Sequence, residues 1–140
     1  MKFVILILIS VLFKSTCTSD SIASIKLESR TRGYQEIIEV KQDLELIHMI
    51  VSPQRSLNDT MLITSLQWKE LVDITNQIPM SEIPNFIAPS HENRTDRALI
   101  QTLEVQPYNG NPILSKHYDR GNPPHAIAPL VAKIEAMVAK

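Results

Sequence analysis

Between Ile25 and Val51 the chain alternates with a period of two, and this pattern constrains the fold more than any other feature. Ile25 and Leu27, then the small polar Ser29 and Thr31, fall on one side of a first run; Lys26, Glu28 and Arg30 fall on the other. Ile37, Ile38 and Val40 mark a second run, Gln35 to Val40. A third, Leu44 to Val51, sets Leu44, Leu46, His48 and Ile50 against Glu45, Ile47 and Met49. Successive side chains of a strand point to opposite faces, so these runs predict half-exposed strands. The links Arg32-Gly33-Tyr34 and Lys41-Gln42-Asp43 are short turns, which makes the three strands a meander.

Further along, Ser52 to Thr60 reads as a polar loop and Met61 to Ile63 as a short fourth strand. Thr64 followed by Gln67 is a capping-box pattern, and it opens a helix over Ser65 to Gln77 with Trp68, Leu71, Val72 and Thr75 in one stripe. Pro79 to Arg97 is a long connection containing Pro79, Pro84 and Pro89. Connections of that length are uncommon in compact domains and often functional. Ala98 to Gln106 alternates again. Asn109-Gly110 then predicts a hairpin of type I′, with Pro112 to Tyr118 returning as the partner strand. Asn122 and Pro123 suit a short turn through Ile127, and a last helix runs from Pro129 to Val138. Strands come in groups separated by helices and no βαβ repeat dominates. The expected class is α+β, an antiparallel sheet of five to six strands (meander, helix, hairpin, helix) with two helices packed on one face.

The start of the chain predicts targeting. After Met1-Lys2, the eleven residues Phe3 to Phe13 are apolar except Ser10, too few to span a bilayer that needs about 20. They fit the apolar region of a secretory signal. Cys17 is the only cysteine, so it forms no disulfide within the chain. Two readings stand: Cys17 is lipidated after cleavage, or an ordinary peptidase cuts near Thr18 or Ala23 and releases an unanchored protein. The expected division is 1–17 signal peptide, 18–24 tether and 25–140 a single domain. Localisation follows as periplasm or outer membrane in preference to free secretion, with a membrane contact through the lipid if Cys17 is modified.

The residues name no reaction. The chain of 140 residues has a formal charge of -1 and three glycines, which leaves no basic stripe for nucleic acid and no glycine-rich phosphate loop. There is no HExxH, no paired CxxC and no GxSxG, so no catalytic residue and no cofactor is assigned. A weak metal alternative is His91, His117, Asp119 and His125. A polar loop patch, Arg94, Asp96, Arg97, Asp119 and Arg120, has two readings: Arg–Asp pairs that lock the crossover onto the sheet, or a rim around a ligand or partner surface. Asn58-Asp59-Thr60 and Asn93-Arg94-Thr95 match the glycosylation sequon, which has meaning only in a eukaryotic export route.

Several pieces resemble small secreted proteins and lipoproteins of the Bacteroidota cell envelope. They are Thr31-Arg32-Gly33-Tyr34, Trp68-Lys69-Glu70-Leu71, Ile83-Pro84-Asn85, Ala88-Pro89-Ser90, Asp96 and Asp119-Arg120-Gly121-Asn122-Pro123-Pro124. Their order and spacing carry the resemblance. It implies a signal-bearing α+β domain and no assigned activity; Arg97 departs from the small residue that similar sequences carry after the acid matching Asp96. The leading expectation is an envelope protein that binds a partner protein or surface ligand and is not an enzyme. Two alternatives are a metal-dependent or hydrolytic enzyme using the His/Asp cluster, and an inhibitor-like module presenting the Pro79–Arg97 loop to a protease.

Overall fold

The computed structural model describes residues 21–90 and 98–139. The first strand, β1, runs Ile22–Thr31, and β2 (Tyr34–Lys41), β3 (Glu45–Val51) and β4 (Ser56–Leu62) follow as antiparallel neighbours. Helix α1 (Ser65–Asn76) and a short 3-10 helix (Met80–Asn85) precede β5 (Ile100–Pro107), β6 (Ile113–Leu114), β7 (Tyr118–Asp119) and helix α2 (Ala128–Val138). The sheet has seven strands in the order β4-β3-β2-β1-β5-β6, with β7 also on β5. The expected α+β class is the observed one, with more strands than the sequence pattern gave. Among the described residues no helix is long and apolar enough to cross a membrane.

The register aligns inward residues in rows across the sheet. One row joins Val105, Ile25, Val40, Leu46 and Met61; the next joins Leu103, Leu27, Ile38, His48 and Asp59. Both helices pack on this face. Trp68, Leu71 and Val72 from α1 meet Leu130, Val131 and Ile134 from α2 above Ile25, Leu27, Val40 and Leu103 in one core. The opposite face keeps charge, including an ion pair between Lys26 and Glu104 at 2.7 Å.

Several sequence expectations need correction. β1 starts at Ile22, inside the stretch read as a tether, and Ile22 is buried. β3 starts at Glu45, because Leu44 takes a left-handed φ of 69° in the turn closed by its bond to Lys41 O. The expected loop over Ser52–Thr60 is mostly β4. Polar residues at an uncovered sheet edge hid its alternation, Leu57, Asp59 and Met61 inward against Ser56, Asn58 and Thr60. The Asn109-Gly110 turn is not type I′: among the described residues outside glycine only Leu44 has positive φ, and the pair Val105–Ile113 encloses a longer loop. Pro112, without an N–H, stands at the start of the returning strand, and β6 is two residues long. The Ser115 hydroxyl continues the pairing from there by accepting the Leu103 N–H at 3.0 Å. Residues 1–20, including the expected signal peptide and Cys17, lie outside the described residues.

Candidate functional site

The sheet is wider than the two helices that cover it. Beyond β2 the inward residues of β3 (Leu46, His48 and Ile50) are still buried, whereas Leu57, Asp59 and Met61 of β4 are half-exposed. The C-terminal end of α2, at Val138 and Ala139, forms one wall of a cleft of about 640 Å³. Its floor is apolar at Ile38, Ile50, Leu57 and Met61. Its polar end is built around Glu36. Inward parity on β2 gives Glu36 the position that apolar residues take at Ile38 and Val40, and its side chain is only 8% exposed.

Three donors converge on that carboxylate. His48 Nε2 donates to Oε1 at 2.8 Å. The Tyr34 hydroxyl donates to Oε2 at 2.9 Å, and Arg120 Nη1 lies 2.7 Å from the same oxygen. Burial by itself would raise the Glu36 pKa. The hydrogen bonds from His48 and Tyr34 and the Arg120 charge together outweigh it and hold the group below the ordinary glutamate value. An ionised carboxylate only accepts hydrogen bonds, so Nε2 of a neutral His48 carries the proton and Nδ1 carries the lone pair. Burial opposes the charge on Arg120, yet its bond with Tyr34 and the charges of Glu36 and Glu135 raise its pKa, and it stays cationic. Burial likewise keeps the Tyr34 phenol protonated.

Arg120 reaches Glu36 because of the turn beneath it. Asn122 N–H donates to Asp119 O at 2.9 Å, and Gly121, at the third position of that four-residue turn, has φ of 86°. Only glycine takes that conformation without strain. On α2, Glu135 Oε1 accepts from Gln101 Nε2 at 3.0 Å, and Gln101 Nε2 also reaches Ser29 Oγ at 2.9 Å. Gln101, Ser29 and Glu36 are register partners, so a polar row continues from the cleft across the sheet under α2. Next to it, the Tyr118 hydroxyl and Gln101 Oε1 are buried without a hydrogen-bond partner among the described residues.

The sequence-predicted residues divide. Asp119 and Arg120, adjacent in the chain, do separate tasks. Asp119 is buried and accepts from the Ser90 hydroxyl, which accepts in turn from Asn122 Nδ2 at 2.9 Å, so it braces the crossover. Arg120 enters the cleft. Arg94, Asp96, Arg97 and His91 lie outside the described residues. His117 is paired with Thr102 Oγ1 at 2.8 Å, beside Lys26 and Glu28 on the sheet's other face, and His125 is exposed. Among the described residues no group of three His, Cys, Asp or Glu side chains is placed to hold a metal ion. The described part of the crossover is anchored by Ile83, fully buried, with the 3-10 helix against β6.

Tyr34, Glu36 and His48 were missed as site residues. The available signal was a charged or polar residue on the inward parity of a strand, Glu36 beside Ile38 and His48 between Leu46 and Ile50. No family model matches the sequence, and no curated protein matches it.

Proposed function

We propose that this is an exported, envelope-associated binding protein that takes a small amphipathic ligand into the inner-face cleft. Export and the envelope rest on the apolar leader, Cys17 and the resemblance to Bacteroidota envelope proteins. The cleft carries the binding reading. An apolar floor and a fixed polar end in one opening of about 640 Å³ suit a molecule with an apolar body and a charged or polar head. Arg120 and Arg55 line the opening beside Glu36, Asp59 and Glu135; Arg120 is paired with Glu36, so Arg55 is the cation left to meet an anionic head. Glu36 is engaged by three donors, so the polar end keeps its shape with or without a ligand, which limits the ordering that binding requires.

The test is titration with anilinonaphthalene sulfonate, an anion on fused apolar rings. The expected result is saturable one-to-one fluorescence enhancement that disappears in Met61→Trp, where an indole fills the floor. No enhancement with the wild type, or undiminished enhancement with folded Met61→Trp, overturns the reading.

A further inference from the structure

We propose that the cleft is also a proton-transfer site, in which His48 Nδ1 acts as general base on a carbon acid, a substrate whose C–H bond adjoins an electron-withdrawing group. The inference rests on the binding reading above and goes beyond it to an activity.

Four observations carry it. His48 lines the cleft, and its ring is fixed by the 2.8 Å bond to Glu36. That bond settles the tautomer, which leaves Nδ1 as the basic atom. No hydrogen bond to Nδ1 occurs among the described residues. Arg120 stands at the same polar end, where a cation stabilises negative charge that develops on a substrate oxygen. The set is a base, a carboxylate that orients it, and a cation for the anion formed. The lining offers no Cys, Ser, Thr or Lys, and its one hydroxyl, the Tyr34 phenol, donates to Glu36 and is held protonated by burial, which disfavours a covalent acyl or imine route.

The step balances without a co-reactant. The C–H bond breaks, its electron pair moves into the neighbouring carbonyl to give an enolate, and the proton passes to Nδ1. The imidazolium that forms is paired with Glu36. Return of the proton to the same face of the same carbon regenerates the substrate, with exchange of that hydrogen if the imidazolium first trades its proton with water; return to a conjugated carbon moves a double bond. Glu36 is a positioning residue here. Asp59, opposite His48 in the register, is the competing base.

The probe is 5-nitrobenzisoxazole. A base removes its ring C–H, the electron pair forms the nitrile, and the N–O bond breaks to leave a coloured cyanophenolate. Full-length protein at neutral pH is expected to give saturable turnover above that of free imidazole at equal concentration. His48→Gln should lower kcat by about 10²-fold or more, the range of one general base being about 10²–10⁴-fold. Glu36→Gln should lower kcat by a larger factor than it changes KM, a split that loss of packing alone does not give. His125→Gln, exposed and away from the cleft, should keep the wild-type rate. Should His48→Gln not fold, Met61→Trp decides, since it blocks access and leaves the His48–Glu36 pair in place; turnover that survives it overturns the proposal. Wild-type turnover no faster than imidazole overturns it also, as does loss on Asp59→Asn with none on His48→Gln. Dye binding without turnover removes the proton-transfer step and leaves the binding reading; absence of both removes the two together.

Discussion

A carboxylate at an inward strand position is expensive to bury unless its charge is answered, and Glu36 shows how the answer is arranged. Each of its oxygens has a donor, drawn from β2, β3 and the turn after β7. Removing the charge leaves Arg120 and His48 facing a weaker acceptor. Glu36→Gln is therefore expected to destabilise the protein by about 2–3 kcal/mol in urea unfolding at neutral pH. The pH dependence follows from the depressed Glu36 pKa. The folded state holds the proton more weakly than the unfolded chain, so the stabilisation is complete above the ordinary glutamate value of 4.5. It is lost as pH falls through the lower folded value, and the gap between wild type and Glu36→Gln should close there. Tyr118 behaves oppositely. Its phenol is fully buried, burial and the nearby Glu135 charge push its pKa far up, and its hydroxyl has no partner among the described residues. Tyr118→Phe deletes a desolvated group and no bond, so the melting temperature should stay level or rise.

At the scale of elements, legibility in the sequence tracked how local the determinants were. Helix α1 was readable because its signals are contiguous. Thr64 Oγ1 accepts the Gln67 N–H at 3.1 Å, Gln67 Oε1 accepts the Thr64 N–H at 2.9 Å, and the expected stripe is the buried one. Thr64→Ala is expected to lower stability by about 1 kcal/mol, measured by chemical denaturation. β4 was readable only at its end, where the expected strand Met61 to Ile63 overlaps it, since Asp59 interrupts the inward row and Ser56, Asn58 and Thr60 face outward. The Asn109-Gly110 hairpin was misread for a related reason. A two-residue turn needs ladder pairing on both sides of it, and Pro107 and Pro112 flank the loop without N–H donors. Of the predicted patch, Arg120 proved to be a cleft residue, and the local cue was its neighbour Gly121. For the rest of the site the inward parity of Glu36 and His48 was the one local cue, and their meeting with Arg120 was illegible because it needs β5 to lie beside β1.

For the whole molecule, the sheet extends past its helices, and the inner face therefore does two jobs. Under α1 and α2 it is a filled core that reaches Leu46 on β3; towards β4 it becomes the floor of the cleft, with Ile38 and Met61 shared between the two. A ligand that enters the cleft binds the folded state alone, because Ile38, Ile50 and Leu57 share a surface only when β2, β3 and β4 are paired. Binding should then raise the melting temperature. At a free ligand concentration of 100 times Kd the added stability is about 2.7 kcal/mol. This sign separates specific occupancy from dye adsorbed on loosened protein, since a dye that prefers exposed apolar surface lowers the melting temperature. Anilinonaphthalene sulfonate is expected to raise it in the wild type and leave it unmoved in Met61→Trp. Met61 is half-exposed at the rim of the core, so the larger ring enters open space and not a packed interior. The unliganded Met61→Trp protein should accordingly melt near the wild type, and a lost ligand response there reports a blocked cleft with the fold intact.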